Sequence, residues 1–352
     1  MIKRRDLFIA GSAAVAMLAP SFSTGVRADT NTPAGAGNAP DDGLAHPIPY
    51  QPREAGGKAR GLVLGGGGVY LVSWMIGYFT ALKEQGVDVA AADIIVGTSA
   101  GSLMGATLAA GRLPDLFKEF QTLAATPALF AKFVPATPPN SSQLRARHLS
   151  NTAQQADTQT ITAIGRAAMA AHNPAGPEAY PAAVKEILGL TDWPSPKLFT
   201  TAVDCYTGER IIVSQADGIP VNVAAGASSS IPGSQGPVWL KDRLCMDGGI
   251  YNTSTHCDVA AGARKVLVIS LTDGGQEAVK AGLRASSLPN TLNEEVSTLK
   301  EQGSEVVLKV VGLLPGVNHV DSIMDPKWIA PCLENGRQRA AADAAEMRTF
   351  WG

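Results

Sequence analysis

The chain has 352 residues, 45% of them apolar, with 29 basic and 31 acidic side chains for a net charge of −2. This is enough apolar material for one large domain or two small ones. It has no clustered Lys/Arg run of the kind nucleic acid or strongly anionic lipid attracts. Cys205, Cys245, Cys257 and Cys332 form no C-x-x-C pair, which argues against a zinc site and makes buried free thiols the expected state.

Residues 1–28 read as a signal peptide. Lys3-Arg4-Arg5 form a basic start, Leu7 to Ala19 a short apolar stretch, and Val26-Arg27-Ala28 a small-x-small cleavage site before Asp29. Arg4-Arg5 ahead of Asp6-Leu7-Phe8 points to twin-arginine export and a periplasmic destination. Losing Lys3, Arg4, Arg5 and Arg27 together with Asp6 leaves 25 basic and 30 acidic side chains, a net charge of −5. Residues 29–58, rich in Pro, Gly, Ala and Asp, read as a flexible leader.

The folded unit, 59–352, opens with a strand at Gly61–Leu64 that runs into Gly65-Gly66-Gly67-Gly68. A helix is expected from Val69 to about Gln85, stopped by Gly86. A second strand, Asp93–Val96, runs into Gly97-Thr98-Ser99-Ala100-Gly101 and the helix Ala100–Ala110. This rhythm predicts an α/β fold with helices on both sides of a mostly parallel sheet. From about 127 to 181 prolines and polar clusters interrupt it, as expected for an insertion with some helix and a candidate lid. Strands follow at Leu198–Val203 and Arg210–Val213, joined through Tyr206-Thr207-Gly208. Next come an alanine-rich helix at Val221–Ser228 and a strand at Arg243–Met246 ending in Asp247-Gly248-Gly249. Lys265–Leu271 and Val306–Val311 are later strands, and 327–350 a closing helix.

Three of these junctions carry chemistry. Gly97-x-Ser99-x-Gly101 between strand and helix is the pattern of a nucleophile elbow, which presents a serine on a tight turn. Gly66, Gly67 and Gly68, with Gly65 before them, offer unobstructed backbone N–H groups at a helix start, suited to a developing oxyanion. Asp247, also at a strand's carboxyl end, can take the serine proton, and Gly248-Gly249 keep its surroundings open. A dinucleotide site is disfavoured because Tyr70 stands where the third glycine of G-x-G-x-x-G belongs, and a P-loop because there is no Walker lysine.

These blocks, in this order, resemble the patatin-like lipid acyl hydrolases. Ala202-Val203-Asp204 to Thr207-Gly208, Ala224 to Pro232 and Asp247 to Asn252 extend the likeness, which covers roughly 60–125 and 195–272. The resemblance implies a three-layer α/β/α sandwich and a Ser99–Asp247 dyad without histidine. It also implies a lipid or acyl-ester substrate met at a membrane surface, and no metal or organic cofactor. Two places depart from the family pattern. Val69, Tyr70 and Leu71 stand where a small residue, a basic residue and a glycine are usual, and Thr253-Ser254-Thr255 where Asn-x-Pro often follows. Three alternatives to a dyad hydrolase stay open: a Ser–His–Asp triad with His256 or His319, an acyltransferase passing the acyl group to an alcohol or thiol, and a lipid-binding protein without turnover.

Overall fold

A computed structural model describes residues 55–126, 138–171, 176–280, 283, 291–317 and 320–352. The expected signal peptide, most of the leader, parts of the 127–181 stretch and His319 lie outside these residues. Eight strands build one sheet: β1 (Arg60–Leu64), β2 (Ile94–Gly97), β3 (Leu198–Asp204), β4 (Arg210–Val213), β5 (Val238–Leu240), β6 (Arg243–Asp247), β7 (Lys265–Ser270) and β8 (Glu305–Val310). The helices are α1 (Gly68–Glu84), α2 (Ala100–Ala109), α3 (Leu113–Ala125), α4 (Ser141–Thr152) and α5 (Thr158–Ala170), then α6 (Ala179–Leu188), α7 (Val221–Ser228), α8 (Gln276–Lys280), α9 (Thr291–Glu301) and α10 (Ile329–Trp351). Among the described residues no helix is long and apolar enough to cross a membrane.

The sheet path is β5-β6-β3-β2-β1-β7-β8, with β4 added on β3. From β3 through β8 the path is parallel; β4, β5 and β6 run antiparallel to their neighbours. The central strands are near-continuous apolar runs because both faces are covered. Strand alternation divides their side chains between two cores. Leu62, Leu64, Ile95, Leu267 and Ile269 pack under α1, α2 and α10. Val63, Ile94, Val96, Val266 and Val268 face the turn at Cys257–Ala260 and the Leu292, Val296 and Leu299 stripe of α9. The result is the expected three-layer α/β/α sandwich.

Helix α1 is buried on nearly all sides because α10 closes over the face the sheet leaves free. The two helices touch backbone to backbone: a Cβ on Gly77 would lie 2.1 Å from the Leu333 carbonyl oxygen, and one on Gly336 would lie 2.2 Å from that of Trp74. The C-terminal helix thereby holds the element that carries the glycine-rich turn.

Asp247 ends β6, at the carboxyl end of a strand as expected, and pairing adds the direction: β6 runs antiparallel to β3 and so opposite to β2. Thr200 of β3 pairs with Gly97 on one edge and Val213 on the other, and Ala202 pairs with Ile211 and Asp247. With β4 along the opposite edge, β2 and β6 must share the same edge of β3 and meet head-on. β3 outruns β2, and the exposed remainder of its edge is filled by β6 from the other direction. The carboxyl ends of β2 and β6 are therefore separated by two residues of β3, about 7 Å at the usual strand rise.

Candidate active site

The register brings the two glycine-rich turns side by side. Leu64 pairs with Gly97, the Thr98 N–H donates to the Leu64 carbonyl at 3.0 Å, and the Gly65 N–H donates to Ile269 at 2.9 Å. Beyond Gly65 the ladder ends. Among the described residues the N–H groups of Gly66, Gly67 and Gly68 have no hydrogen-bond partner, and they lie at the positive end of α1. Gly68 has φ +59.

Ser99 has φ 53 and ψ −118, a conformation that side-chain-bearing residues avoid and that an elbow requires. Its N–H donates to Ser228 Oγ at 2.9 Å, and its carbonyl accepts from Ser102 Oγ at 2.7 Å. The flanking glycines are needed because α2 starts directly on the β1 backbone. A Cβ on Gly101 would stand 1.9 Å from the Leu64 carbonyl oxygen, and one on Gly97 would stand 2.4 Å from that of Gly101. Gly101→Ala is accordingly expected to cost about 3 kcal/mol or more, the upper end of overpacking effects, because backbone cannot yield as a side chain can. Chemical denaturation of the purified variant measures this, and a loss under 1 kcal/mol would contradict the packing.

Asp247 is 4% exposed, and its Oδ1 accepts the Gly249 N–H at 2.8 Å. Burial pushes its carboxyl up to about 7, against the opposing pull of the Gly249 N–H and a hydrogen bond from the Ser99 hydroxyl. Its own N–H donates to the Ser230 carbonyl at 3.0 Å. Serines at and just past the end of α7 therefore hold both turns: Ser228 that of Ser99, Ser230 that of Asp247. Below them the hydroxyls of Thr98 and Thr201 share a hydrogen bond of 2.7 Å, and a Cβ on Gly248 would meet Thr201 Oγ1 at 2.2 Å. These serines and threonines were not singled out as site residues in the sequence, although the Ser228-Ser229-Ser230 run is unusual enough to be a signal.

Ser99, Asp247 and Gly66, Gly67 and Gly68 wall one chamber, which Ile250 and Ile323 also line. Ser99 and Gly68 also border a second cleft, lined by Val72, Leu103, Phe120, Ile187 and Met324 among others. The described part of the 127–181 stretch contributes Ser150 and Asn151 of α4 to the chamber. Tyr180 of α6, whose hydroxyl donates to Ser229 Oγ at 3.1 Å, joins the cleft wall. Among the described residues no group of three or more His, Cys, Asp or Glu could hold a metal.

His256 is fully buried, and both ring nitrogens are engaged away from Ser99. Nε2–H donates to the Gly248 carbonyl at 3.1 Å, and Nδ1 faces Arg210 Nη1 at 3.5 Å. Burial and the guanidinium hold the imidazole neutral. It braces the turn behind Asp247, a supporting role instead of the base position a triad needs. The Thr253-Ser254-Thr255 departure has its own support: Glu295 of α9 accepts from Thr253 Oγ1 at 2.8 Å and from the Thr255 hydroxyl. The four cysteines are buried, with Cys205 and Cys245 in separate cores.

The family model for patatin-like phospholipases matches residues 62–256, more than half of the chain and every block described above. The chain belongs to the patatin-like phospholipase family. The matched span of this patatin-like protein ends at His256, before β7, β8 and α10. No curated protein matches it. Among solved structures, VipD from Legionella pneumophila is similar at 13% identity with a TM-score of 0.42, over 82% of this chain and 67% of that one.

Proposed function

We propose that this patatin-like protein hydrolyses acyl esters of lipids through a Ser99–Asp247 dyad. One observation supports this above the rest. The serine, the carboxylate and three N–H groups unpartnered among the described residues share a chamber, and Ser99 also borders an apolar cleft. An acyl chain would lie in the cleft, with its ester carbonyl beside Ser99. Asp247 takes the Ser99 proton as Oγ attacks the carbonyl carbon, and the negative charge passes to the carbonyl oxygen. The N–H groups of Gly66, Gly67 and Gly68, together with the positive end of α1, stabilise that oxyanion. Collapse expels the alcohol, which takes the proton back from Asp247 and leaves an acyl-Ser99 ester. Water then repeats the sequence: Asp247 accepts its proton, hydroxide attacks, and the fatty acid leaves as Ser99 regains its hydrogen.

A carboxyl pushed up to about 7 suits this work, because it holds a proton strongly enough to take one yet is ionised at neutral pH. Incubating the purified protein with mixed lipids and identifying released acids by mass spectrometry tests the assignment. A protein that binds lipid but releases no acid and resists fluorophosphonate labelling would be a carrier instead. Transfer of the acyl group to added alcohol in preference to water would make it an acyltransferase.

Export belongs to the same proposal, on Lys3-Arg4-Arg5, the apolar stretch and Val26-Arg27-Ala28. The mature protein is expected in the periplasm with a terminus near Asp29, and Arg4→Lys with Arg5→Lys is expected to leave it in the cytoplasm. N-terminal sequencing of fractionated protein reads both. Undiminished export of the double variant would assign the general secretory route, and an intact Met1 would remove the signal peptide.

A further inference from the structure

Tyr70 stands where the family pattern has a basic residue, and its hydroxyl makes two long-range bonds. It donates to the Gly312 carbonyl at 3.1 Å and accepts the Leu314 N–H at 2.8 Å. Its ring, 1% exposed, lies 6.3 Å from that of Trp328. The stretch after β8 is thus tied to the second position after Gly68 at both ends of a loop. Between those ties, Val320–Met324 and Pro326–Trp328 pack on α1. Ile323 and Met324 press on the glycine turn itself: a Cβ on Gly68 would be 2.7 Å from Met324 Sδ and 3.1 Å from the Ile323 carbonyl. Ile323 walls the Ser99–Asp247 chamber and Met324 the apolar cleft.

We infer that Tyr70 is a positioning residue: through Gly312, Leu314 and Trp328 it clamps the described residues after β8 onto α1, so that Ile323 and Met324 hold the Gly66–Gly68 turn in place. The role in turnover rests on the hydrolase reading above. The physical need is specific. This turn has no side chains and, beyond Gly65, no ladder bonds of its own, so its N–H groups keep their aim only if something outside the turn immobilises it. A guanidinium at position 70 could donate to Gly312 but could not accept from Leu314, whereas a phenol does both.

Tyr70→Phe removes the hydroxyl alone. Its kcat on a short-chain chromogenic ester is expected to fall about tenfold with KM unchanged, and fluorophosphonate labelling to slow by the same factor, because the loss falls on oxyanion stabilisation. Tyr78→Phe is the control. Its hydroxyl, on the same helix, donates to Asp343 of α10 at 3.0 Å, away from the glycine turn, so its loss leaves kcat unchanged. Trp328→Leu frees the other end of the segment and is expected to reproduce the Tyr70→Phe pattern, which keeps the test decisive where Tyr70→Phe folds poorly. Hydrogen exchange in a Ser99→Ala background reads the clamp without activity: Tyr70→Phe speeds exchange at Leu71, whose N–H donates to the Gly67 carbonyl at 3.1 Å. Unchanged exchange at Leu71, or a kcat no lower than that of Tyr78→Phe, overturns the inference. An inactive wild-type protein with the exchange response intact sinks the hydrolase reading and leaves the clamp standing.

Discussion

Ser99→Ala is expected to abolish ester hydrolysis and fluorophosphonate labelling while the protein stays folded. The turnover loss should be on the order of 10⁴-fold or more, because removing a nucleophile takes the covalent route with it. Folding should persist because alanine keeps the Cβ that the elbow already accommodates, and the backbone bonds to Ser228 and Ser102 do not involve Oγ. Ser99→Gly should be equally inactive but more stable than Ser99→Ala, by about 1 kcal/mol, since only glycine adopts φ 53 with ψ −118 without strain. Circular dichroism melts and active-site titration of the three proteins check both parts. Turnover within tenfold of wild type in Ser99→Ala would remove Ser99 as nucleophile.

Asp247→Asn is expected to lower kcat by about 10² to 10⁴-fold, the usual contribution of a general base. An amide fills the same space and can still accept the Gly249 N–H, but cannot take a proton. In the wild type, kcat should rise with pH through an apparent pKa near 7, the value to which burial pushes the Asp247 carboxyl. In Asp247→Asn that rise should vanish. His256→Gln, which retains a donor toward the Gly248 carbonyl, and His319→Ala should keep most of the activity and the same profile. A thousandfold loss in either folded histidine variant would replace the dyad with a triad.

The same carboxyl predicts a stability effect of definite sign. A folded pKa near 7 lies above the ordinary carboxylate value of 3.8, so the folded state binds the extra proton between those limits. The contribution of Asp247 to wild-type stability is therefore greatest below pH 4, declines as pH rises toward 7, and levels off above it. Asp247→Asn pays no such ionisation cost. Its melting temperature relative to wild type should climb from pH 4 to 7, with a gain of a few kcal/mol at most at about 1.4 kcal/mol per pH unit. A variant less stable than wild type at pH 8 would show that the carboxylate is welcomed by its surroundings and that burial does not govern it.

Most strands and helices were legible from local pattern. The apolar runs at 61–64, 93–96 and 265–271 read as strands because both sheet faces are covered, and each lies within a residue or so of β1, β2 and β7. The helix at Val221–Ser228 matches α7 end to end. Four elements escaped: α3, α8, α9 and β5. β5 is three residues long, joined to β6 through Lys241 at φ 57, and so short a run carries no period to read. The apolar stripe of α9, Leu292, Val296 and Leu299, becomes a signal only once β7 and β8 supply the face it covers.

The sequence by itself determined which groups could do chemistry. A serine between two glycines after an apolar run, four glycines at a helix start and an aspartate ahead of a glycine pair are local facts of turn stereochemistry, set by which residues lack a Cβ and which carry a reactive oxygen. Tertiary structure alone decided how these groups meet. A short strand reads the same in either direction, so only pairing with β3 could turn β6 to face β2 and bring Asp247 to Ser99. Only the surrounding burial could push that carboxyl up to about 7, because desolvation sums over residues far apart in the chain. The same holds for His256, whose place in the sequence suits a base. The carbonyl of Gly248 and the guanidinium of Arg210 occupy its nitrogens, and both reach it only through the fold.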